Sequence, residues 1–429
     1  VTVGVYYYIQ HNTKKNTLSG ILMGEIEEVV IVGGGVAGLA TALGLHRNRI
    51  RCLVLESSPS LRVTGFAFIT WNNAWKALNV LGIASVLRKR HLSLQGLSVY
   101  SSESDHAAIE LPFLGHEARC VRRKLLLEAL ANELPDGAIR FSSKVVSVED
   151  SMHYKIVHLS DGSIIKTKAL IGCDGINSVV ARLLGFKKLK FSGRFATRGC
   201  AELEEGHGLQ NKYLLFIGDG IRVGLIPCDE KYVYWFLTWK PTICSEEEDD
   251  RTPFELKQFV LKKVEKFPEQ VRRTFEATNL ESIQSVPLHY RAPWQMLWSS
   301  ISKGNVCLAG DAMHPMTPDI GQGACTSLED AVVLARCLSD AFREHRVEAN
   351  ISEDKRIDLA LKKYAKERRW RCFVVATTAL IMGIIQQSKN KLVCFIRDKL
   401  LLRYLSALLL KRSQFDCGSL NMPNVNDTK

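Results

Sequence analysis

Val29-Val30-Ile31-Val32-Gly33-Gly34-Gly35-Val36-Ala37-Gly38 is the stretch from which the fold can be read. Four β-branched residues in a row have the pattern of a strand buried on both faces of a parallel sheet. Glycines follow at once, residues 39–46 read as a helix, and Arg51-Cys52-Leu53-Val54-Leu55 reads as a second strand. Strand, glycine turn, helix, strand is the context in which G-x-G-x-x-G cradles a dinucleotide. Gly33 permits the tight turn, Gly35 lets the backbone approach a pyrophosphate, and Gly38 lets helix and strand pack closely. The amides that open the helix, from Val36 and Ala37 onward, then face the phosphates.

Glu56 ends the second strand 23 positions after Gly33, where such folds place an acid on a ribose hydroxyl. A charge-assisted hydrogen bond of that kind contributes roughly 1.5 to 3 kcal/mol. The same carboxylate repels a 2′-phosphate, which disfavours NADP as the bound nucleotide. The motif by itself does not separate FAD from NAD.

A second buried-strand pattern, Asn305-Val306-Cys307-Leu308-Ala309, runs into Gly310-Asp311-Ala312-Met313-His314-Pro315, then Pro318, Gly321-Gln322-Gly323 and a helix from about Thr326. Here the sequence resembles the class A flavoprotein monooxygenases, the salicylate hydroxylase-like group. Every fixed position of that family's G-D-A-x-H-x-x-x-P-x-x-G-Q-G run is filled. The resemblance implies that the cofactor is FAD, that Asp311 bonds the ribityl hydroxyls, and that Pro318 and Gly321 to Gly323 lie along the isoalloxazine. Amides at a helix N-terminus suit an anionic reduced flavin, stabilising negative charge by roughly 0.3 to 2 kcal/mol. His314, by the same resemblance, shapes the flavin loop rather than acting as a base.

Ile171-Gly172-Cys173-Asp174-Gly175-Ile176-Asn177-Ser178 resembles the family's D-G motif, which implies that Asp174 serves both FAD and the nicotinamide cofactor. Ala181 stands where that motif usually has a basic residue, and Arg182 is one further on. Val121-Arg122-Arg123-Lys124-Leu125 fits the family's R-x-x-L helix start, implying a contact from Arg122 to the ribityl chain or pyrophosphate. Lys144-Val145-Val146 fits a strand whose backbone meets the adenine at Val145. With no second G-x-G-x-x-G, NADH or NADPH is expected as a transient co-substrate. The family reduces FAD in this way, adds O2 at the flavin C4a carbon and delivers oxygen from the hydroperoxide to an electron-rich ring or alkene.

Between residues 187 and 285 the pattern changes to alternating aromatic strands, such as Tyr213 to Ile217 and Tyr232 to Trp239, which predict an antiparallel sheet over the flavin's reactive edge. Arg222 and Tyr234 flank a turn near Cys228 to Lys231. In type and spacing they resemble the substrate-binding Arg and Tyr of FAD-dependent urate hydroxylases. The arginine would bind an anionic substrate oxygen, and the tyrosine would hold or deprotonate a ring hydroxyl. Because side chains alternate along strands, an odd number of turn residues puts both on one face.

Composition bounds the rest. At 429 residues the chain allows two or three domains, and 46% hydrophobic with 24% charged residues is the balance of a folded globular protein. The net charge of +12 favours anionic ligands, acidic substrates or a membrane surface. No zinc finger, ribonucleoprotein motif or continuous basic helix points to nucleic acid. The 12 cysteines form no C-x-x-C pair, so neither a metal site nor a disulfide framework is expected, and reduced thiols suit an intracellular protein. The apolar run Val374 to Ile385 is too short to span a bilayer. The basic stretch Lys362 to Arg371, and Leu392 to Leu410 with Arg397, Lys399 and Arg403, read as packed helices with solvated basic faces or, alternatively, as peripheral contact with an anionic membrane. Acidic residues 246–250 read as a solvated loop.

The expected architecture is α/β: a Rossmann-like FAD-binding domain, an antiparallel-sheet substrate domain and C-terminal helices. Its expected division is residues 1–24 as a leader, 25–186 as the first part of the FAD-binding domain with substrate-domain elements within 74–118, and 187–285 as the substrate domain. Residues 286–345 return to the FAD-binding domain, 346–415 form a helical region and 416–429 a tail. Met23 is a candidate natural start, with residues 1–22 an untrimmed leader or a transit segment. The expected compartment is the cytoplasm, with a plastid as the alternative. The function that follows is an FAD-dependent, NAD(P)H- and O2-using monooxygenase acting on a small aromatic substrate. The alternatives are an epoxidase or dehydrogenase acting on an apolar substrate, and a flavin-binding regulatory protein.

Overall fold

A computed structural model describes residues 25–61, 66–101, 106–151, 153–218, 220–241, 251–342, 351–386 and 408–420. The leader, the acidic run 246–250, and Arg397, Lys399 and Arg403 lie outside the described residues.

The glycine stretch forms what its pattern predicts: β1 (Glu27–Val32), α1 (Val36–Arg47) and β2 (Cys52–Leu55). Then come β3 (Ala67–Thr70), α2 (Asn72–Leu81), β4 (Gly96–Ser101), β5 (Ala107–Pro112), β6 (Arg119–Arg122), α3 (Arg123–Ala131) and β7 (Ile139–Arg140). A hairpin of β8 (Val145–Asp150) and β9 (Lys155–Leu159) leads to β10 (Ile164–Gly172). The aromatic region supplies β11 (Lys190–Glu202), β12 (Lys212–Gly218), β13 (Ile221–Pro227), β14 (Tyr232–Trp239), α4 (Pro253–Lys263), α5 (Glu269–Glu276) and β15 (Ile283–Tyr290). The chain returns through β16 (Ser302–Lys303) and β17 (Val306–Leu308) to two long helices, α6 (Gly323–Phe342) and α7 (Glu353–Gln386).

The first sheet runs β16-β17-β10-β1-β2-β7, parallel from β17 to β7. Val29, Val30 and Ile31 are wholly buried, as a strand covered on both faces must be. Because β1 has β2 on one side and β10 with β17 on the other, Gly33, Asp174 and Asp311 all leave the sheet at the same carboxyl edge. A crevice at such a switch point is where open α/β sheets bind ligands.

The second sheet runs β15-β11-β14-β13-β12-β4-β5. It departs from the expected antiparallel pattern at one place, where β12 pairs with β4 in parallel. The cause is connectivity: β4 arrives from the first half of the chain, so no tight hairpin forces it to reverse against β12. The two faces of this sheet differ. Odd-numbered Val233, Trp235 and Leu237 of β14 pack under α4 and α5 with Val260 and Phe275, and Trp235 stacks on Phe275 with ring centroids 4.0 Å apart. The even-numbered face turns toward the first sheet and forms one wall of an aromatic-lined cleft.

The basic run on α7 divides: Lys362, Lys363 and Lys366 are exposed, and its arginines turn inward. Arg368 is fully buried between Glu329 and Asp330, each 2.7 Å away, Arg371 pairs with Glu329, and Arg369 binds the carbonyls of Met296, Leu297 and Ser299. Arg368 and Arg371 fasten α7 to α6, while the lysines lie on a solvated face as the sequence predicts. Among the described residues no helix is long and apolar enough to cross a membrane.

Candidate active site

Two clefts hold many of the residues singled out in the sequence. The first is lined by Gly33 to Gly35, Glu56, Arg123, Ser143 to Val145 and Asp174. Gly33 has φ +105°, and a Cβ there would sit 2.5 Å from the Cys173 carbonyl oxygen, so only glycine closes this turn. A Cβ on Gly38 would come within 1.9 Å of the Gly33 carbonyl oxygen, whereas one on Gly35 would meet nothing within 4 Å. The last position therefore opens onto the cleft. No side chain caps α1 at Gly35, which leaves the first amides, at Val36 and Ala37, for a ligand's phosphates.

Glu56 accepts from the Gly34 amide at 2.7 Å and from the Ser58 amide at 2.8 Å. It braces the glycine turn and lines the cleft. Asp174 likewise braces its own loop, accepting from the Ser178 hydroxyl at 2.5 Å and the Val179 amide at 2.6 Å. Burial pushes its carboxyl up against those bonds. Arg182, expected with reserve from the same motif, does not line either cleft.

The arginine expected from R-x-x-L is placed differently by the structure. Arg122 ends β6 and turns away from the cleft, its guanidinium 4.2 Å from the Tyr232 ring centroid and 3.7 Å from Asp229. Arg123, the next residue, lines the cleft. Consecutive side chains diverge where a strand becomes a helix, and Arg123 with Leu126 satisfies R-x-x-L as well as Arg122 with Leu125 does. The spacing could not choose between them.

Asp311 lies in a recess after β17. Surrounding protein pushes its carboxyl up, His314 and Arg123 pull it down, and its side chain stays open to solvent. A Cβ on Gly323, at the start of α6, would stand 4.0 Å from Asp311 Oδ1. The carboxylate suited to sugar hydroxyls and the amide end of α6 are thus side by side. Gln322 is anchored by the Asn73 amide at 2.9 Å, and Gly321, at φ +60°, packs so closely that a Cβ would lie 2.4 Å from Ile69 Cγ2. His314 is fully buried and reaches neither cleft. Its Nε2 is 2.6 Å from Asp330 Oδ2, the oxygen that also accepts from the Gly310 amide at 2.8 Å. It holds the loop in shape.

The second cleft is bounded by Pro318 to Gly321 on one side and the even face of the second sheet on the other. Cys228 and Tyr232 close a turn whose three residues are Asp229 to Lys231. That number is odd, and the register pairs Arg222 with Thr238 and Ile226 with Tyr234. Arg222 and Tyr234 consequently share the face that lines the cleft.

Their chemistry departs from the expectation. Arg222 donates to Asp319 Oδ1 and to the Tyr213 hydroxyl, each at 3.0 Å. Arg194 holds the same carboxylate through two bonds, at 2.9 and 2.8 Å. The anion facing Arg222 is therefore Asp319, kept ionised by the two guanidiniums although burial opposes it. Tyr234 is pushed up by burial, and nearby Arg198 offsets this only in part. Burial thus favours the protonated phenol. Sequence reasoning passed over Asp319 because it occupies a variable position of P-x-x-G-Q-G. It passed over Arg194 and Arg198 although both sit at even positions of β11, the parity shared by Arg222 and Tyr234, which was the available signal.

Residues 27–356 match the FAD binding domain family. Monooxygenase 2 of Arabidopsis thaliana is 51% identical over 401 residues, covering 92% of this chain and 98% of that protein. Monooxygenase 1 of the same plant is 34% identical over 395 residues, covering 91% and 99%. Klebsiella pneumoniae HpxO, solved in complex with FAD and uric acid, shares the fold with a TM-score of 0.77 at 23% identity, over 90% of this chain and 96% of that one.

Proposed function

We propose, for a chain that belongs to the FAD-dependent monooxygenases of the FAD binding domain family, that it hydroxylates a small, planar aromatic substrate held between the flavin loop and the even face of the second sheet. The observation that carries this reading is the shared wall: Pro318 and Gly321, which belong to the flavin motif, also line the aromatic pocket. A ligand there lies against the edge where the cofactor works.

In this reading the glycine turn, Glu56, Val145 and Asp174 hold the dinucleotide half of FAD, and Arg123 with Asp311 holds the sugar chain between the halves. Gly321 to Gly323 present amides to the ring's negative charge. FAD reduced by NAD(P)H supplies the activated oxygen atom. The protein's own contribution is placement and dryness: Phe68, Trp71, Phe236 and Leu288 exclude water from the pocket, and the protonated Tyr234 orients a polar substituent of the ring. The uric acid bound by HpxO is a planar heteroaromatic, and a pocket with these walls suits that class of ligand. The domain division at residues 186, 285 and 345 is part of the same proposal.

The test is NAD(P)H-dependent oxygen consumption by the yellow holoprotein, scanned over phenolic acids, purines and isoprenoids. Stimulation by an aromatic compound supports the reading. Stimulation by isoprenoids alone transfers the function to an apolar substrate.

A further inference from the structure

Arg198 is a third guanidinium in the wall of the aromatic pocket. It rises from β11 on the pocket-facing side, opposite Phe236 of β14, and lines the same cavity as Tyr234 and Trp71. Its Nε is buried and has no hydrogen-bond partner among the described residues. The other two guanidiniums are occupied: Arg222 and Arg194 both hold Asp319, the one carboxylate among the lining residues. Two positive charges on one negative charge leave that cluster with an excess of one, and Arg198, whose field reaches Asp311 outside the pocket lining, faces no carboxylate of its own within it.

A second observation points the same way. Trp71 Nε1, on another wall of the pocket, and Arg222 Nε, on the same wall, are also buried without an acceptor. All three unpaired groups are donors, and a buried donor left unpaired costs about 1 to 3 kcal/mol. A positively charged, donor-rich and otherwise apolar cavity is complementary to an aromatic ring bearing an anionic, acceptor-rich group. A carboxylate is the simplest such group, and a guanidinium fork matches its geometry.

We propose that Arg198 anchors an aromatic carboxylate or an equivalent aromatic anion in this pocket, and that it sets the enzyme's preference for charged over neutral substrates. The inference rests on the aromatic-substrate reading above. It assigns to Arg198 the anion-binding role that Arg222 cannot take while Asp319 occupies it.

The experiment measures binding of benzoate and 1-naphthoate against benzamide and 1-naphthamide, read from the visible spectrum of the FAD-loaded full chain. The native protein is expected to bind each carboxylate at least about tenfold tighter than its amide. Arg198→Gln is expected to abolish that ratio while FAD content and melting temperature stay unchanged, and Arg198→Lys to retain part of it. Equal affinities for carboxylate and amide, or a ratio that survives Arg198→Gln, overturns the anchor and leaves the monooxygenase reading standing. Weakened FAD binding in Arg198→Gln with an intact ratio assigns the residue to the cofactor and also overturns it. If neither aromatic pair binds, the aromatic-substrate reading and the anchor fall together.

Discussion

Asp319 Oδ1 lies 3.0 Å from Arg222 Nη1 across a separation of 97 residues, and this buried pair ties the flavin loop to the sheet that faces it. Arg194 completes the cluster from β11. The wall of the substrate pocket and the loop along the cofactor are one electrostatic unit.

Removing the negative charge from that unit leaves two buried guanidiniums without a counterion. Asp319→Asn preserves shape and is expected to lower unfolding free energy by about 3 to 5 kcal/mol, the usual cost of breaking a buried pair from one side. Denaturant melts of the two proteins check it. A change below about 1 kcal/mol would show that the cluster is solvated in solution.

The adjacent arginines at the start of α3 separate by function. Arg123→Ala is expected to weaken FAD binding by about tenfold or more, since it removes a charged donor from the cleft. Arg122→Ala, which faces Asp229 and Tyr232, should leave FAD content unchanged. Fluorescence titration of the apoprotein with FAD compares them, and the opposite ranking would restore the assignment expected from R-x-x-L spacing.

Gly38→Ala places a methyl group 1.9 Å from the Gly33 carbonyl oxygen, so helix and turn must separate. The expected product is a colourless protein or an insoluble one. Gly35→Ala meets no protein atom, so it should fold normally and bind FAD less tightly, because the added methyl points into the phosphate site. Flavin absorbance after purification reads both.

The His314–Asp330 pair carries a pH signature. Burial alone would lower His314 below its ordinary 6.5, but Asp330 raises it well above. Burial would raise Asp330 from 3.8, but His314 and Arg368 depress it. A raised histidine contributes stability fully below pH 6.5 and loses it as pH climbs through the folded value. A depressed aspartate contributes fully above 3.8 and loses it as pH falls. Both contributions are complete between about pH 4 and 6.5. His314→Gln should flatten the decline of melting temperature on the alkaline side of that window. An unchanged slope would mean that His314 is neutral in the folded protein.

The sequence was most informative where backbone geometry demands one residue type. Gly33 and Gly38 can be nothing else, and Gly321 sits against Ile69, so these positions declared the cofactor loops directly. Strand alternation was nearly as informative: the parity of the turn at Asp229 to Lys231 puts Arg222 and Tyr234 on one face. What alternation could not convey was the partner. Asp319 meets Arg222 only through tertiary folding, and nothing near either residue in the chain marks the pair. Local pattern was ambiguous at Arg122 and Arg123, where two registers fit one motif and the direction of the side chain decides. It read the basic run of α7 as a solvated face, which the lysines form, but did not show that Arg368 and Arg371 fasten two helices from within.

The central claim is that an aromatic compound in the pocket beside Pro318 and Gly321 receives one atom of O2. Turnover of the FAD-loaded enzyme with NAD(P)H, the best-binding aromatic ligand and isotopically labelled molecular oxygen tests it most directly by mass spectrometry of the product. The account predicts a hydroxylated product carrying a single labelled oxygen atom. NAD(P)H oxidation that yields only hydrogen peroxide across the whole aromatic panel, with no labelled product, would contradict it.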